Sequence, residues 1–542
     1  VADLAGGGKE LTDMKKHLVL IDGQWRQSAG QQYFQAVNPK TKEALPEQYP
    51  VSPWSEVEEV IAAAARAAET VRSWPGSRFA EFLEAYADLI DQRSGELVEM
   101  AQLETALPAV PRLKDVELPR TTNQLRQAAK SARDGSWIEA TVDTAANIRS
   151  MLAPIGPVAV FGPNNFPYAY NGAAGGDFAS AVAAGNPVIA KGHSSHPGTT
   201  RLLAEAAHQA ATATGMPNGF VQLIYRMGHA DGVKLASHHS VGAIGYTGAR
   251  SAGLVLKEAA DKVGKPIYLE LSSINPVYML PGALAEKSAT LAEQFAGSCL
   301  AGTGQFCTNP GLIILMAGPH AEEFIKQAVE KFKAAPVGTL LGEGVQKNLQ
   351  AGIAELADHG ATVLTGGSVG GGAGFCCQNT LLRVKAKQFV GAPEALQTEA
   401  FGNSSLIVVA DDEAEMLAVT RCLEGNLTGS IYSAADGSDD ALYNKIVLLL
   451  RQKVGRLLND KMPTGVAVVA AMNHGGPFPA TGHPGFTAVG FPTSIRRFAM
   501  LQSYDAVRPN RLPAVLQNKN PTGTLWRRID GNLTQADVPA TS

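Results

Sequence analysis

The chain has 542 residues and a formal charge of −4, with 45% hydrophobic and 18% charged residues. That length exceeds one ordinary core, so two or three domains of a globular protein are expected. The near-neutral charge gives no electrostatic reason for nucleic acid or an anionic membrane to be a partner. Five cysteines, an odd number with no C-x-x-C spacing, indicate neither a disulfide framework nor a zinc ribbon, and a reducing, cytoplasmic setting fits. No apolar run approaches a membrane span. The first eight residues lack the apolar centre of a signal peptide. The chain starts at Val1 rather than Met, as a trimmed chain would, with or without a removed signal.

Residues 1 to about 15 read as a flexible lead-in. His17 to Trp25 then reads as a short strand pair around Asp22-Gly23. Ser52-Pro53-Trp54-Ser55 starts a helix, with Pro tolerated in the first turn. Val57, Val60, Ile61, Ala64, Ala68 and Val71 share one face of it, and more helices follow to about Ala132. From Ile148 the pattern changes. Apolar runs at 158–161, 187–190, 220–224, 241–246 and 267–269 alternate with Ala-rich helical stretches. That alternation predicts an α/β fold, a parallel sheet covered by helices on both faces. A second alternating block runs from about Asn275 to Val469. The Gly-rich stretch 366–374 reads as a surface loop. After Gly475 the chain is rich in Gly, Pro and Phe, then gives a strand and a polar tail.

The chemistry concentrates at residues 304–311, Gly-Gln-Phe-Cys-Thr-Asn-Pro-Gly. A cysteine on a Gly-rich turn after a helical segment leaves its sulfur accessible among free backbone N–H groups. A thiolate there can attack a carbonyl while the N–H groups hold the oxyanion. The bland alternative, a buried small hydrophobe, suits Cys299, Cys376, Cys377 and Cys422 better than Cys307. Glu270 follows an apolar strand at 266–269, where desolvation would raise its pKa into a range useful to a general base. Asn165, in Phe-Gly-Pro-Asn-Asn-Phe-Pro, leaves a strand at its carboxyl end, where α/β sheets place ligands. A G-x-G-x-x-G fingerprint is not well placed anywhere. Instead residues 245–253 join a strand to a helix through a Gly-containing turn that can receive a pyrophosphate. His193, His196, His238 and His239 show no metal-ligand pattern, and no metal is expected.

These segments together resemble the aldehyde dehydrogenase superfamily, and the resemblance extends over nearly the whole chain. It makes Cys307 the nucleophile and Glu270 the base. Asn165 becomes the side-chain half of an oxyanion hole whose other half is the Cys307 N–H. Tyr246, Thr247, Gly248 and Ala249 match the superfamily's phosphate-binding turn, with Ala249 where Ser is common. Lys191 would hold the adenosine ribose. Ser194 stands where NAD-preferring relatives carry Glu, so NADP is favoured over NAD, with Arg226 and His193 as candidate 2′-phosphate partners. Phe161, Gly162, Pro163, Asn164, Gly228 and Leu271 complete the implied cofactor contacts, and Glu399 and Phe401 match the motif that holds the nicotinamide. Asn403 replaces that motif's Pro, a change expected to loosen the turn; Ser-Ser replaces Gly-Gly after Leu271. Phe166, Tyr170, Phe306, Thr308 and Phe478 would line the substrate tunnel.

Residues 172–190, 269–276, 304–311, 473–481 and 520–531 are most similar to the 2,5-dioxopentanoate (α-ketoglutaric semialdehyde) dehydrogenase branch, which also contains NADP-linked aliphatic aldehyde dehydrogenases. The resemblance implies a cofactor domain from 16–136 and 154–274 and a catalytic domain from 275–485. It also implies a β-arm from 137–153 and 486–506 that joins subunits, and a tail from 507–542. A homodimer or dimer of dimers follows. The retained Glu270 counts against a CoA-acylating enzyme, and a cysteine hydrolase would need a nearby His base and no nicotinamide site. A non-catalytic protein on this fold would not keep Cys307, Glu270, Asn165 and Glu399 together. No Arg stands out as a donor for a distal carboxylate; His474 and Arg496 lie only near candidate loops.

Overall fold

The computed structural model describes residues 15–539, so most of the expected lead-in lies outside the described residues. A first seven-stranded sheet runs in the order Ile267–Glu270, Ala243–Thr247, Val158–Phe161, Val188–Lys191, Val221–Ile224, Val19–Ile21, Gln24–Arg26. The first five strands are parallel, and the last two form the hairpin read around Asp22-Gly23. Parallel pairs need crossovers. Helices Gly176–Ala183, Pro197–Ala213 and Arg250–Asp261 provide them, and their many alanines let them lie close on the sheet. From Val158–Phe161 the chain moves outward to one side, then returns to place Ala243–Thr247 on the other. That reversal opens a crevice above the strands' carboxyl ends, where the loops after Phe161 and Thr247 emerge.

A second seven-stranded sheet has the order Thr362–Thr365, Thr380–Lys385, Ser404–Ala410, Leu312–Met316, Pro276–Met279, Asn426–Tyr432, Val454–Asn459, parallel except at its first pair. Separate apolar clusters cover its two faces, as a doubly buried sheet requires. Helix Pro281–Leu300 follows the interior strand Pro276–Met279, is kinked at Lys287, and delivers the chain to the turn before Cys307.

A five-stranded sheet joins Ala499–Asp505, Ile148–Pro154, Thr141–Asp143, Arg527–Ile529 and Asn532–Thr534. Here the structure differs from the sequence reading. The last two strands come from the stretch read as a polar tail, and Phe491, Ile495 and Phe498, read as arm, pack instead into the core of the first sheet. Arg527 is fully buried, yet its guanidinium donates to the carbonyls of Gln517, Asn518 and Ala536, so a charged residue anchors the strand. No helix among the described residues is long and apolar enough to cross a membrane.

Candidate active site

Three consecutive left-handed residues, Gly302 (φ 55°), Thr303 (φ 60°) and Gly304 (φ 69°), turn the chain sharply after the helix. A Cβ on Gly304 would lie 2.0 Å from the Gly402 carbonyl oxygen, so only glycine lets these loops meet. Asn275 fixes the far side of the turn. It is buried, and its Nδ2 donates to the carbonyls of Cys307 and Asn309, both at 2.9 Å. Asn275 is in turn held by Ser273 and Thr428, and Asn426 anchors its backbone N–H. Cys307 is therefore placed by backbone clamps and not by side-chain packing alone.

Glu270 ends the first sheet's outer strand. His474 stands between it and the cysteine. Its Nε2 is 2.9 Å from Glu270 Oε1 and 3.4 Å from Cys307 Sγ. His474 is 1% exposed and Glu270 3%. Glu270 Oε2 is buried and takes no hydrogen bond from the described residues. Sequence reasoning placed His474 only near a loop, because it lies 167 residues from Cys307. The Asn-His-Gly-Gly-Pro stretch was the available signal. The Cys307 thiol is pushed well above its ordinary pKa, first by burial and then by the Glu270 charge and hydrogen bond, with Arg120 acting in the opposite sense. The three donors lie within 4.8 Å of one another, a set a divalent cation could also use.

Asn165 approaches from the loop after Val158–Phe161. Its Nδ2 donates to the Gln305 carbonyl at 3.0 Å, leaving a second amide hydrogen for an oxyanion beside Cys307. The loop is clamped from behind. Arg112 Nη2 donates to the Asn165 carbonyl at 3.0 Å, and Arg112 pairs with fully buried Glu117. Glu117 also accepts the N–H groups of Tyr168 and Ala169, at 2.9 and 3.0 Å.

A cleft of about 1060 Å³ lies over the crevice, and every cofactor contact expected from sequence lines it, from Phe161 and Gly162 through Lys191, Ser194 and Tyr246 to Glu399 and Phe401. It reaches Asn165, Glu270 and Cys307. His229, Val233, Leu254 and Asn348 line it too, which the sequence reading did not assign. Lys191 falls to about 8 because it is buried and because the Arg226 charge is near. Burial, with the His196 and Lys191 charges, holds His193 well below its ordinary value. Two crowded cations with a neutral Ser194 beside them fit an anionic nucleotide. Glu399 is pushed up to about 7 by burial, against hydrogen bonds from the Ser273 N–H and the Ser272 hydroxyl. The Ser-Ser departure thus contributes a donor to the carboxylate expected at the nicotinamide end. Asn403 tightens its turn instead of loosening it, donating to the Cys377 carbonyl at 2.8 Å and to Asn379 Oδ1 at 2.7 Å.

A second cavity of about 420 Å³ meets Cys307 from the opposite side and contains Phe166, Tyr170, Phe306 and Thr308. Phe166 packs edge-on against both Tyr170 and Phe306, at 5.2 and 5.6 Å between centroids. Phe478 is not with them. It is 52% exposed and lies under the Arg250 guanidinium, because the loop carrying it pairs with Gly425 and turns the ring outward. Arg496 also lies elsewhere, paired with Glu139 of the arm.

A clamped thiol lies between two α/β sheets where a dinucleotide-sized cleft meets a second cavity, an arrangement that suits an oxidoreductase. Residues 25–446 match the aldehyde dehydrogenase family, and the chain belongs to it. It is an NAD(P)-dependent aldehyde dehydrogenase acting on small-molecule aldehydes. It is 40% identical over 484 residues to alpha-ketoglutaric semialdehyde dehydrogenase 2 of Azospirillum brasilense, covering 87% of this chain and 90% of that one. It is 36% identical over 468 residues to the alpha-ketoglutaric semialdehyde dehydrogenase of Acinetobacter baylyi, covering 84% and 87%. Solved structures share the fold. PnpE from Pseudomonas sp. WBC-3 superposes with a TM-score of 0.77 at 22% identity over 91% of this chain and 99% of its own.

Proposed function

We propose that this enzyme oxidises 2,5-dioxopentanoate, or a closely similar oxo-acid semialdehyde, to the carboxylate, and that it releases the free acid rather than a CoA thioester. The observation that carries the reading is the Cys307–His474–Glu270 contact where the two cavities meet. The similarity to semialdehyde dehydrogenases supports the substrate class. Lys191, Arg226, Ser194 and the 245–253 turn would hold the adenosine and pyrophosphate end of NADP or NAD, and Glu399 and Phe401 the nicotinamide end. When bound, the nicotinamide supplies the hydride acceptor.

The chain's own groups do the rest. Cys307 sulfur adds to the aldehyde carbon while the Asn165 amide and the Cys307 N–H stabilise the oxyanion. In the resting site His474 Nε2–H donates to Glu270 Oε1 at 2.9 Å; in the Nδ1–H tautomer Nε2 is free to accept the thiol proton across 3.4 Å, after which Nε2–H donates to Glu270 again. Loss of hydride leaves a thioester on Cys307. Glu270 takes a proton from the water that attacks it, freeing the carboxylate and restoring the sulfur. The raised thiol pKa makes this proton acceptor necessary near neutral pH. The same cysteine, carboxylate and imidazole are needed for chemistry, so we read the trio as catalytic and a bound cation there as an inhibitor.

The arm sheet would join subunits as a homodimer or dimer of dimers, in the cytoplasm. Reduced-nicotinamide absorbance with 2,5-dioxopentanoate should grow without CoA and should not gain from added CoA. Hexanal outperforming the oxo acid about tenfold in kcat/KM would replace the substrate assignment with an aliphatic one.

Ser194→Glu should shift preference toward NAD by about tenfold or more, near 1.4 kcal/mol, by repelling a 2′-phosphate. NADP affinity should also decline relative to NAD as pH rises through about 8, because Lys191 loses the charge that attracts that phosphate. Titrating both cofactors across pH in wild type and variant measures both effects. Unchanged ratios would remove Ser194 and Lys191 from the ribose site.

A further inference from the structure

Two arginines, Arg112 and Arg120, line the cavity on the substrate side of Cys307, a third, Arg456, lies behind it, and their hydrogen bonding differs. Arg112 is committed, pairing with buried Glu117 and donating to the Asn165 carbonyl. Arg456 donates to the carbonyls of Pro463 and Gly465 at 2.9 and 3.1 Å and so shapes the loop behind the cavity. Arg120 is different. It projects into the cavity from the first turn of helix Leu118–Asp134. Its Nη2 donates to the Tyr170 hydroxyl at 3.1 Å and its Nε to Gln124 Oε1 at 3.3 Å. Its Nη1 makes no hydrogen bond to any described residue, and no carboxylate among the described residues pairs with it. The guanidinium lies over the Phe166 and Tyr170 rings, 5.7 and 5.3 Å from their centroids, which fixes its plane.

We infer that Arg120 is the specificity-determining residue that receives the distal carboxylate of the substrate. The inference rests on the semialdehyde reading above. A planar cation held by two rings, one hydroxyl and one amide, with donors still open into the cavity, is built for a carboxylate and has none of its own. The reach also fits. An extended five-carbon oxo acid places its carboxylate carbon about 5 Å from the aldehyde carbon, and both Cys307 and Arg120 line the same cavity. The aromatic walls then serve the methylene chain, and the cation decides between a charged and an apolar end.

Two five-carbon aldehydes isolate the interaction, because 5-oxopentanoate and pentanal differ only at the distal end. Full-length enzyme saturated with cofactor is compared as wild type, Arg120→Met and Arg120→Lys, with 2,5-dioxopentanoate as a third substrate and glutarate as a competitive inhibitor. Arg120→Met should lower the ratio of kcat/KM for 5-oxopentanoate over pentanal about 100-fold, mainly through KM, and should raise the glutarate inhibition constant similarly. Arg120→Lys should fall between, since charge remains and the fork is lost. Both substrates losing activity together with the ratio unchanged would show a structural role and overturn the assignment. A wild type that does not prefer 5-oxopentanoate or 2,5-dioxopentanoate over pentanal would instead overturn the semialdehyde reading, and this inference with it.

Discussion

Cys307→Ala should abolish aldehyde oxidation, to below about a thousandth of the wild-type rate, or about 4 kcal/mol of transition-state stabilisation. In the proposed mechanism the sulfur is the atom that becomes bonded to the substrate, and no neighbouring thiol stands ready to replace it. Cys299 is buried on helix Pro281–Leu300, and its thiol contacts the Ser404 carbonyl and the Asn309 amide. Cofactor affinity should change little, because the cleft is formed mainly by the loops after Phe161, Lys191 and Thr247 and only touches Cys307 at one end. The fold should survive too, since Asn275 and Gly304 hold the turn through the backbone. Fluorescence titration with the dinucleotide, thermal melting and a steady-state assay on one preparation check all three. Oxidation persisting at about a tenth of the wild-type rate would move the nucleophile elsewhere.

The parallel sheets were legible because buried parallel strands are written as short continuous apolar runs. Val158–Phe161 follows that rule without exception. The cofactor side of the site was legible for a related reason. Most of its loops leave a strand's carboxyl end, so a strand assignment already places them; the loop of Glu399 and Phe401, which runs from helix Pro393–Leu396 into strand Ser404–Ala410, is the exception and was found by its motif. The substrate side was harder. Arg112 and Arg120 belong to two consecutive helical segments, Ala109–Glu117 and Leu118–Asp134, more than 40 residues before Asn165, and nothing local says that these segments pack across the cavity. His474 and Phe478 stand four residues apart on one loop, yet one is buried beside the nucleophile and the other faces outward. Loop side chains have no period to sort them, so only tertiary contacts decide. The C-terminal strands are short, three residues each, and one carries a buried charge, Arg527, held by carbonyls nine and ten residues away, so neither has the apolar run or alternation that marks a strand.

Glu270→Gln and His474→Gln should separate the two halves of the reaction. Glutamine at 270 keeps the shape of the side chain but cannot take a proton from water. Cys307 would still be acylated and hydride still lost, so reduced nicotinamide should appear in a burst of about one per active subunit, followed by turnover slowed about 100-fold or more. Glutamine at 474 removes the ring nitrogen 3.4 Å from the sulfur. The Glu270 carboxylate keeps its place on the strand, so deacylation is affected less than acylation, and the burst itself should slow. Alkylation of Cys307 by iodoacetamide reports the thiol without cofactor or substrate. Burial and the Glu270 charge raise its pKa, so the neutral thiol dominates at pH 7 and the rate should climb with pH. In His474→Gln the rate near neutral pH should fall about tenfold, and the difference should shrink at alkaline pH, where solvent hydroxide takes the proton. In Glu270→Gln the carboxylate charge is gone, so alkylation should become faster at neutral pH even as turnover collapses. A burst unchanged in His474→Gln, with an unchanged alkylation profile, would leave the imidazole a packing role only. Steady turnover without a burst in Glu270→Gln would place the deacylating base on another residue.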